Sequence, residues 1–112
     1  MSEQLPNCVF CRIAAKQAPA TIRYEDDEVV AFDNQLTWVP VMLLVIPKRH
    51  MDQEELWASS LMQKVGVVAV KLGSQLCPRG YRMLSNVGRD ARQSQPHGHL
   101  HVIGGTELEL YA

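Results

Sequence analysis

Histidine occupies every second position of Pro96-His97-Gly98-His99-Leu100-His101-Val102-Ile103, and no other stretch constrains the chain as much. Successive side chains of an extended strand point to opposite faces. An extended segment here puts His97, His99 and His101 on one face, with Gly98, Leu100 and Val102 on the other. The apolar side gives the strand a reason to lie against a core, which holds the imidazoles in fixed positions. Imidazole is largely neutral near pH 7 and can ligate a metal, act as a general base or attack an electrophile. The fourth histidine, His50, lies apart from this cluster. An isolated histidine on such a face reads first as a packed core residue; three at period two do not.

The rest of the chain must supply the core. Its 112 residues make one domain, 1–112, long enough to bury a core without disulfides. With 46% apolar and 21% charged residues, the chain lies far from the composition of disordered segments. The net charge of -1 and the scattered basic residues argue against duplex nucleic acid as a partner, since binding it requires neutralising several phosphates. The longest apolar run, Val39 to Pro47, is less than half the roughly 20 residues of a membrane span, so no membrane partner is expected. Met1-Ser2-Glu3-Gln4 has no basic region leading into an apolar core, which points to a cytoplasmic protein. Cys8, Cys11 and Cys77 cannot all pair within one chain, and Cys8-x-x-Cys11 in that setting reads as metal or redox chemistry before a structural disulfide.

Periodicity predicts an α+β domain with two helices on an antiparallel sheet of about five strands. Asn7 to Lys16 reads as a short helix with Asn7 as N-cap and Pro19 beyond its end. Thr21 to Glu25 and Glu28 to Phe32 read as a hairpin turning at Asp26-Asp27. Val41 to Ile46 is a central buried strand, stopped by Pro47. Asp52 and Glu55 form a capping box opening one long helix, whose apolar stripe is Leu56, Leu61, Val65, Val68 and Leu72 and whose end is set by Gly73 to Gly80. Tyr81 to Asn86 and His97 to Ile103 are the last strands, the latter ending at Gly104-Gly105; Cys77, before Pro78, falls on a loop.

Two chemical readings of the triplet follow from the residues: three ligands of a catalytic metal, or one nucleophilic imidazole with supporting neighbours. The context Gln93-Ser94-Gln95-Pro96 before the triplet and Gly104-Gly105 after it resembles the histidine-triad signature. Cys8-Val9-Phe10-Cys11-Arg12-Ile13, Tyr24-Glu25-Asp26-Asp27, Leu44-Val45-Ile46-Pro47-Lys48-Arg49-His50 and Gly80 to Asn86 agree with it in order. Over nearly its whole length the chain resembles the histidine-triad nucleotide-binding proteins, in their protein kinase C inhibitor-like branch.

The resemblance implies a homodimer with the two sheets joined across a two-fold axis. It also implies transfer or hydrolysis at the α-phosphorus of a purine nucleoside phosphoramidate, anhydride or ester. His99 would be the nucleophile, oriented by the backbone carbonyl of His97. His101 and Ser94 would sit at the phosphate, with Asn86 near phosphate and ribose and Gln93 on the approach loop. Val9, Phe10, Ile13 and Phe32 match apolar base-contacting positions. Three departures stand out: Asn34, preceded by Asp33, occupies the place of a common ribose-binding aspartate; Met42 replaces a common histidine; and Gly98 stands where bulkier residues are frequent. Cys8, Cys11, His50 and His97 match a structural zinc set found in some branches, which would brace the site without catalysing, and no organic cofactor is implied. A nonenzymatic nucleotide-binding module and a metal-dependent hydrolase ligated by the three histidines remain the alternatives.

Overall fold

The apolar run ending at Pro47 is the middle of the molecule. The computed structural model describes residue 5 and residues 7–110; residues 1–4, read above for a signal pattern, lie outside the described residues. The strands are β1 (Ile22–Glu25), β2 (Val29–Asp33), β3 (Val41–Pro47), β4 (Tyr81–Leu84) and β5 (Leu100–Gly104). They form one sheet in the order β1-β2-β3-β5-β4, every neighbouring pair antiparallel. Among the described residues three helices accompany it: α1 (Val9–Ala14), α2 (Gln53–Trp57) and α3 (Leu61–Leu76).

β3 is apolar without alternation because both sides of it are covered. Leu43 and Val45 join Val29, Ala31, Leu100 and Val102 under α2 and α3, where Leu56, Val65, Val68 and Leu72 are buried and Leu61 packs at the margin. Leu44 and Ile46 join Val30 and Phe32 on the opposite face, under α1 with its Phe10, Cys11 and Ile13. The β1–β2 turn is built as expected: Asp26 Oδ1 accepts from the Glu28 and Val29 amides, each at 2.8 Å, and its other oxygen accepts from the Tyr24 hydroxyl at 2.7 Å.

Several local expectations are corrected. The N-cap of α1 is Cys8, whose Sγ accepts from the Cys11 amide at 3.3 Å; Asn7 lies one residue outside. The Asp52–Glu55 capping box is present, but the predicted single helix is two, so the count is three and not two. Ser59 causes the break: its amide and its hydroxyl both bond the Leu56 carbonyl, an alternative to helical continuation that serine readily offers. Gly73 does not end α3, which runs to Leu76 with Cys77 as a buried C-cap. A Cβ at Gly73 would lie 2.5 Å from the Tyr81 ring, so this glycine lets the helix lie close on β4. β4 stops at Leu84 rather than Asn86, and β5 begins at Leu100, three residues after the predicted start at His97.

Candidate active site and metal centre

β5 starts late, so only His101 of the three histidines lies within it. His101 is in the strand, paired with Leu44 of β3 and Leu84 of β4, and therefore shares the α1 side of the sheet. His99 precedes the strand, and His97 lies in a bend before it. His97 is wholly buried against Cys8, Cys11 and Phe10, so all three histidines lie on the α1 side as alternation predicts, while Gly98, Leu100 and Val102 face Leu56 and the other core.

His97 Nε2 lies 2.7 Å from the Pro47 carbonyl oxygen, which can only accept, so the proton is on Nε2 and Nδ1 carries the lone pair. Nδ1 faces Cys8 Sγ and Cys11 Sγ, each at 3.4 Å, while Cys11 Sγ lies 3.3 Å from His50 Nδ1. One ligand atom from each of Cys8, Cys11, His50 and His97 falls within a mutual 4.8 Å. Burial pushes the Cys11 thiol up and depresses His97 to about 4, with the neighbouring His50 and His99 adding to the latter. Two buried sulfurs facing an unprotonated imidazole nitrogen are a donor set that a borderline-soft cation satisfies by ionising the thiols. The cluster therefore fits a tetrahedral zinc site.

His99 is oriented by the same logic. Its Nδ1 donates to the His97 carbonyl at 2.7 Å, leaving Nε2 unprotonated. Burial lowers its pKa, partly opposed by that hydrogen bond, and burial with the nearby His99 brings His101 to about 4. Both rings are neutral at pH 7. They meet edge to face with centroids 5.0 Å apart, and Phe10 packs edgewise on His99 at 5.4 Å. With one His97 nitrogen committed to Pro47 and the other to the cysteines, the three imidazoles do not converge on a common ion.

His99 and His101 line a cavity of about 780 Å³. Val9, Phe10, Ile13, Phe32, Asp33, Asn34 and Ser94 also line it, as do Leu44, Thr21 and Gln95. Asn86 and Gln93 are not among the lining residues. Gln93 is engaged within its own loop, accepting from the Gly88 amide and donating to the Gln95 carbonyl, both at 2.8 Å. Asp33 holds Arg23 in a bidentate pair at 2.7 and 2.9 Å. Asn34 Oδ1 accepts from the Leu36 amide at 3.0 Å, which leaves Nδ2 as the donor a sugar hydroxyl can meet.

Gln53 and Ser85 are the residues that sequence reasoning missed. Gln53 Oε1 accepts from the His99 amide at 2.9 Å and Ser85 Oγ donates to the His99 carbonyl at 2.6 Å. Gln53 read only as the residue after the N-cap inside the Asp52-Gln53-Glu54-Glu55 capping box, and nothing in that pattern marks it as buried. Gly98 also acquires a reason: a Cβ there would lie 3.0 Å from Leu56 Cβ and 3.1 Å from the Asp52 carbonyl. Gly98→Val is expected to drive α2 off this segment and to destabilise by about 1–3 kcal/mol, seen as a lower urea midpoint at unchanged m-value.

The sequence matches the HIT domain over residues 15–108. It is 36% identical over 107 residues to protein HitA of Neisseria gonorrhoeae, a match covering 89% of this chain and 97% of that one. Among solved structures, a HIT family hydrolase from Clostridium thermocellum superposes with a TM-score of 0.88 at 32% identity, covering 96% of this chain and 98% of the other. A zinc-bound histidine triad family protein from Mycobacterium smegmatis gives a TM-score of 0.69 at 27% identity, covering 87% and 73% of the two chains.

Proposed function

The chain belongs to the HIT domain family, and from that membership we propose that it hydrolyses or transfers a nucleotide through a covalent nucleotidyl-histidine on His99. The observation that carries this reading is the 2.7 Å bond from His99 Nδ1 to the His97 carbonyl at the cavity wall, which leaves a neutral Nε2 as the attacking atom. The substrate class is a purine nucleoside phosphoramidate, anhydride or ester, in keeping with the branch of the family that the sequence resembles.

Nε2 attacks the α-phosphorus as the bond to the leaving group breaks; the leaving group departs with the electron pair and takes a proton from solvent, which the attacking water returns in the second step. Water then displaces the imidazole from phosphorus, giving the nucleoside monophosphate and restoring neutral His99. The positive charge that the ring gains in the intermediate is stabilised by the His97 carbonyl. His101, neutral beside it, offers one N–H to a nonbridging oxygen, and Ser94 lies on the same wall. Asn34 serves the ribose in place of a carboxylate, since Asp33 is held by Arg23. Zinc held by Cys8, Cys11, His50 and His97 would be saturated by protein ligands and would brace the bend before β5. The free thiols suit the reducing cytoplasm.

The test is a denaturing quench at alkaline pH, where a P–N bond to histidine survives, during turnover of an adenosine phosphoramidate labelled in its adenosine. Label should remain on the protein and vanish in His99→Ala; absence of protein-bound label at any time point rejects the covalent route.

The same reading includes a homodimer. Trp57, Val67, Val70 and Met83 are 43–62% exposed and adjoin in an apolar groove beside β4, which is an edge strand with one side unpaired. A second copy related by a two-fold axis covers the groove and pairs that edge. Val67→Lys puts a charge on this exposed position and should shift sedimentation from dimer to monomer while leaving the far-UV spectrum intact; a parent protein already monomeric at micromolar concentration rejects the assignment.

A further inference from the structure

His97, Gly98 and His99 precede β5, so no neighbouring strand holds them in a ladder. The segment at the start of α2 does so instead. The Gly98 amide donates to the Met51 carbonyl at 2.6 Å, and the His99 amide donates to Gln53 Oε1 at 2.9 Å. Gln53 is 1% exposed, and its Nε2 donates to the Asn86 carbonyl at 3.1 Å. A carboxamide with an N–H facing one end and a carbonyl facing the other has a single satisfied orientation. On the far side of the same peptide, Ser85 Oγ bonds the His99 carbonyl. Side chains therefore fix both backbone polar groups of His99, and Gln53 does this without lining the cavity.

We propose that Gln53 is a positioning residue for the His99 nucleophile: its buried carboxamide sets the height and tilt of the His99 backbone so that Nε2 meets phosphorus in line. The proposal rests on the nucleotidyl-histidine reading. Its force comes from the steepness of near-attack geometry, in which a misplacement of about 1 Å costs on the order of 100-fold in rate.

Gln53→Met keeps the length of the side chain and removes both hydrogen bonds. The expected result is a loss on the order of 10- to 100-fold in kcat per folded molecule, with KM for an adenosine phosphoramidate within about twofold of the parent. Stability falls as well, because the Asn86 carbonyl and the His99 amide lose their partner. Val65→Ala, in the core under α3 and away from the cavity, is the stability-matched control; it should lower Tm and leave kcat per folded molecule unchanged. A Gln53→Met enzyme with parental kcat per folded molecule, or one whose loss lies in KM, overturns the proposal. Should that variant not fold, Gln53→Asn, one methylene too short to span both partners, carries the same comparison. The parent and His99→Ala run alongside: no covalent nucleotide on the parent defeats the underlying reading, whereas a normal parent, an inactive His99→Ala and an unimpaired Gln53 variant defeat this inference alone.

Discussion

His99→Ala should abolish turnover of adenosine phosphoramidate, with kcat/KM falling by roughly four to six orders of magnitude while nucleotide binding persists. The expectation follows from what alanine removes. The cavity is otherwise lined by Phe10, Phe32, Leu44 and other residues that hold a ligand without attacking it, and His101, the remaining imidazole there, lacks the carbonyl partner that aims His99. The space vacated lies between Phe10 and His101 and can admit a small ring. Free imidazole should therefore restore measurable turnover with saturable dependence on its concentration. Equal turnover by His99→Ala and the parent would make the protein a hydrolase of another kind, and nucleotide bound without turnover by the parent would make it a nucleotide-binding module.

Cys8→Ser should lose zinc and slow the reaction without removing the nucleophile. The substitution is clean because Cys8 has two tasks and serine retains one of them. As N-cap of α1, Cys8 accepts from the Cys11 amide through its side chain, and serine is among the better N-caps. As a ligand it supplies a soft thiolate, which a hydroxyl does not replace. An ion present at 100 times its dissociation constant contributes about 2.7 kcal/mol to the folded state. Elemental analysis should show the metal gone and calorimetry a correspondingly lower Tm. The activity loss comes through His97, whose ring anchors the cluster while its carbonyl aims His99 two residues later. A variant without metal and with full activity would show that the two jobs of His97 are independent.

The fold was legible where the signal was local. The β1–β2 hairpin, the strand ending at Pro47 and the capping box at Asp52 each announced themselves in a handful of contiguous residues. The misreadings fall where tertiary contacts decide. Nothing in Ala58-Ser59-Ser60 marks a break with certainty, since the competing bond to the Leu56 carbonyl exists only once the chain has turned there. Gly73 resembles a helix terminator and instead makes room for Tyr81, a contact between elements. For the site, residue types and order brought His99, His101, Ser94 and the four candidate metal ligands into view. The alternating pattern put His97 on the correct face with His99 and His101; what it did not show is that Pro47 and the cysteines take up both nitrogens of the His97 ring. Gln53 stayed hidden because its partners, Asn86 and His99, are 33 and 46 residues away.

Cys8 and Cys11 meet His97 across separations of 89 and 86 residues. On the ribosome, at about 5–20 residues per second, the two thiols emerge roughly 4–18 s before the imidazole that completes their site. Throughout that interval they are a bare dithiol, open to oxidants and to competing soft metals. Four-ligand capture of a metal at this cluster would thereby be a late event, and a chain that held zinc there would already have brought His99 into place.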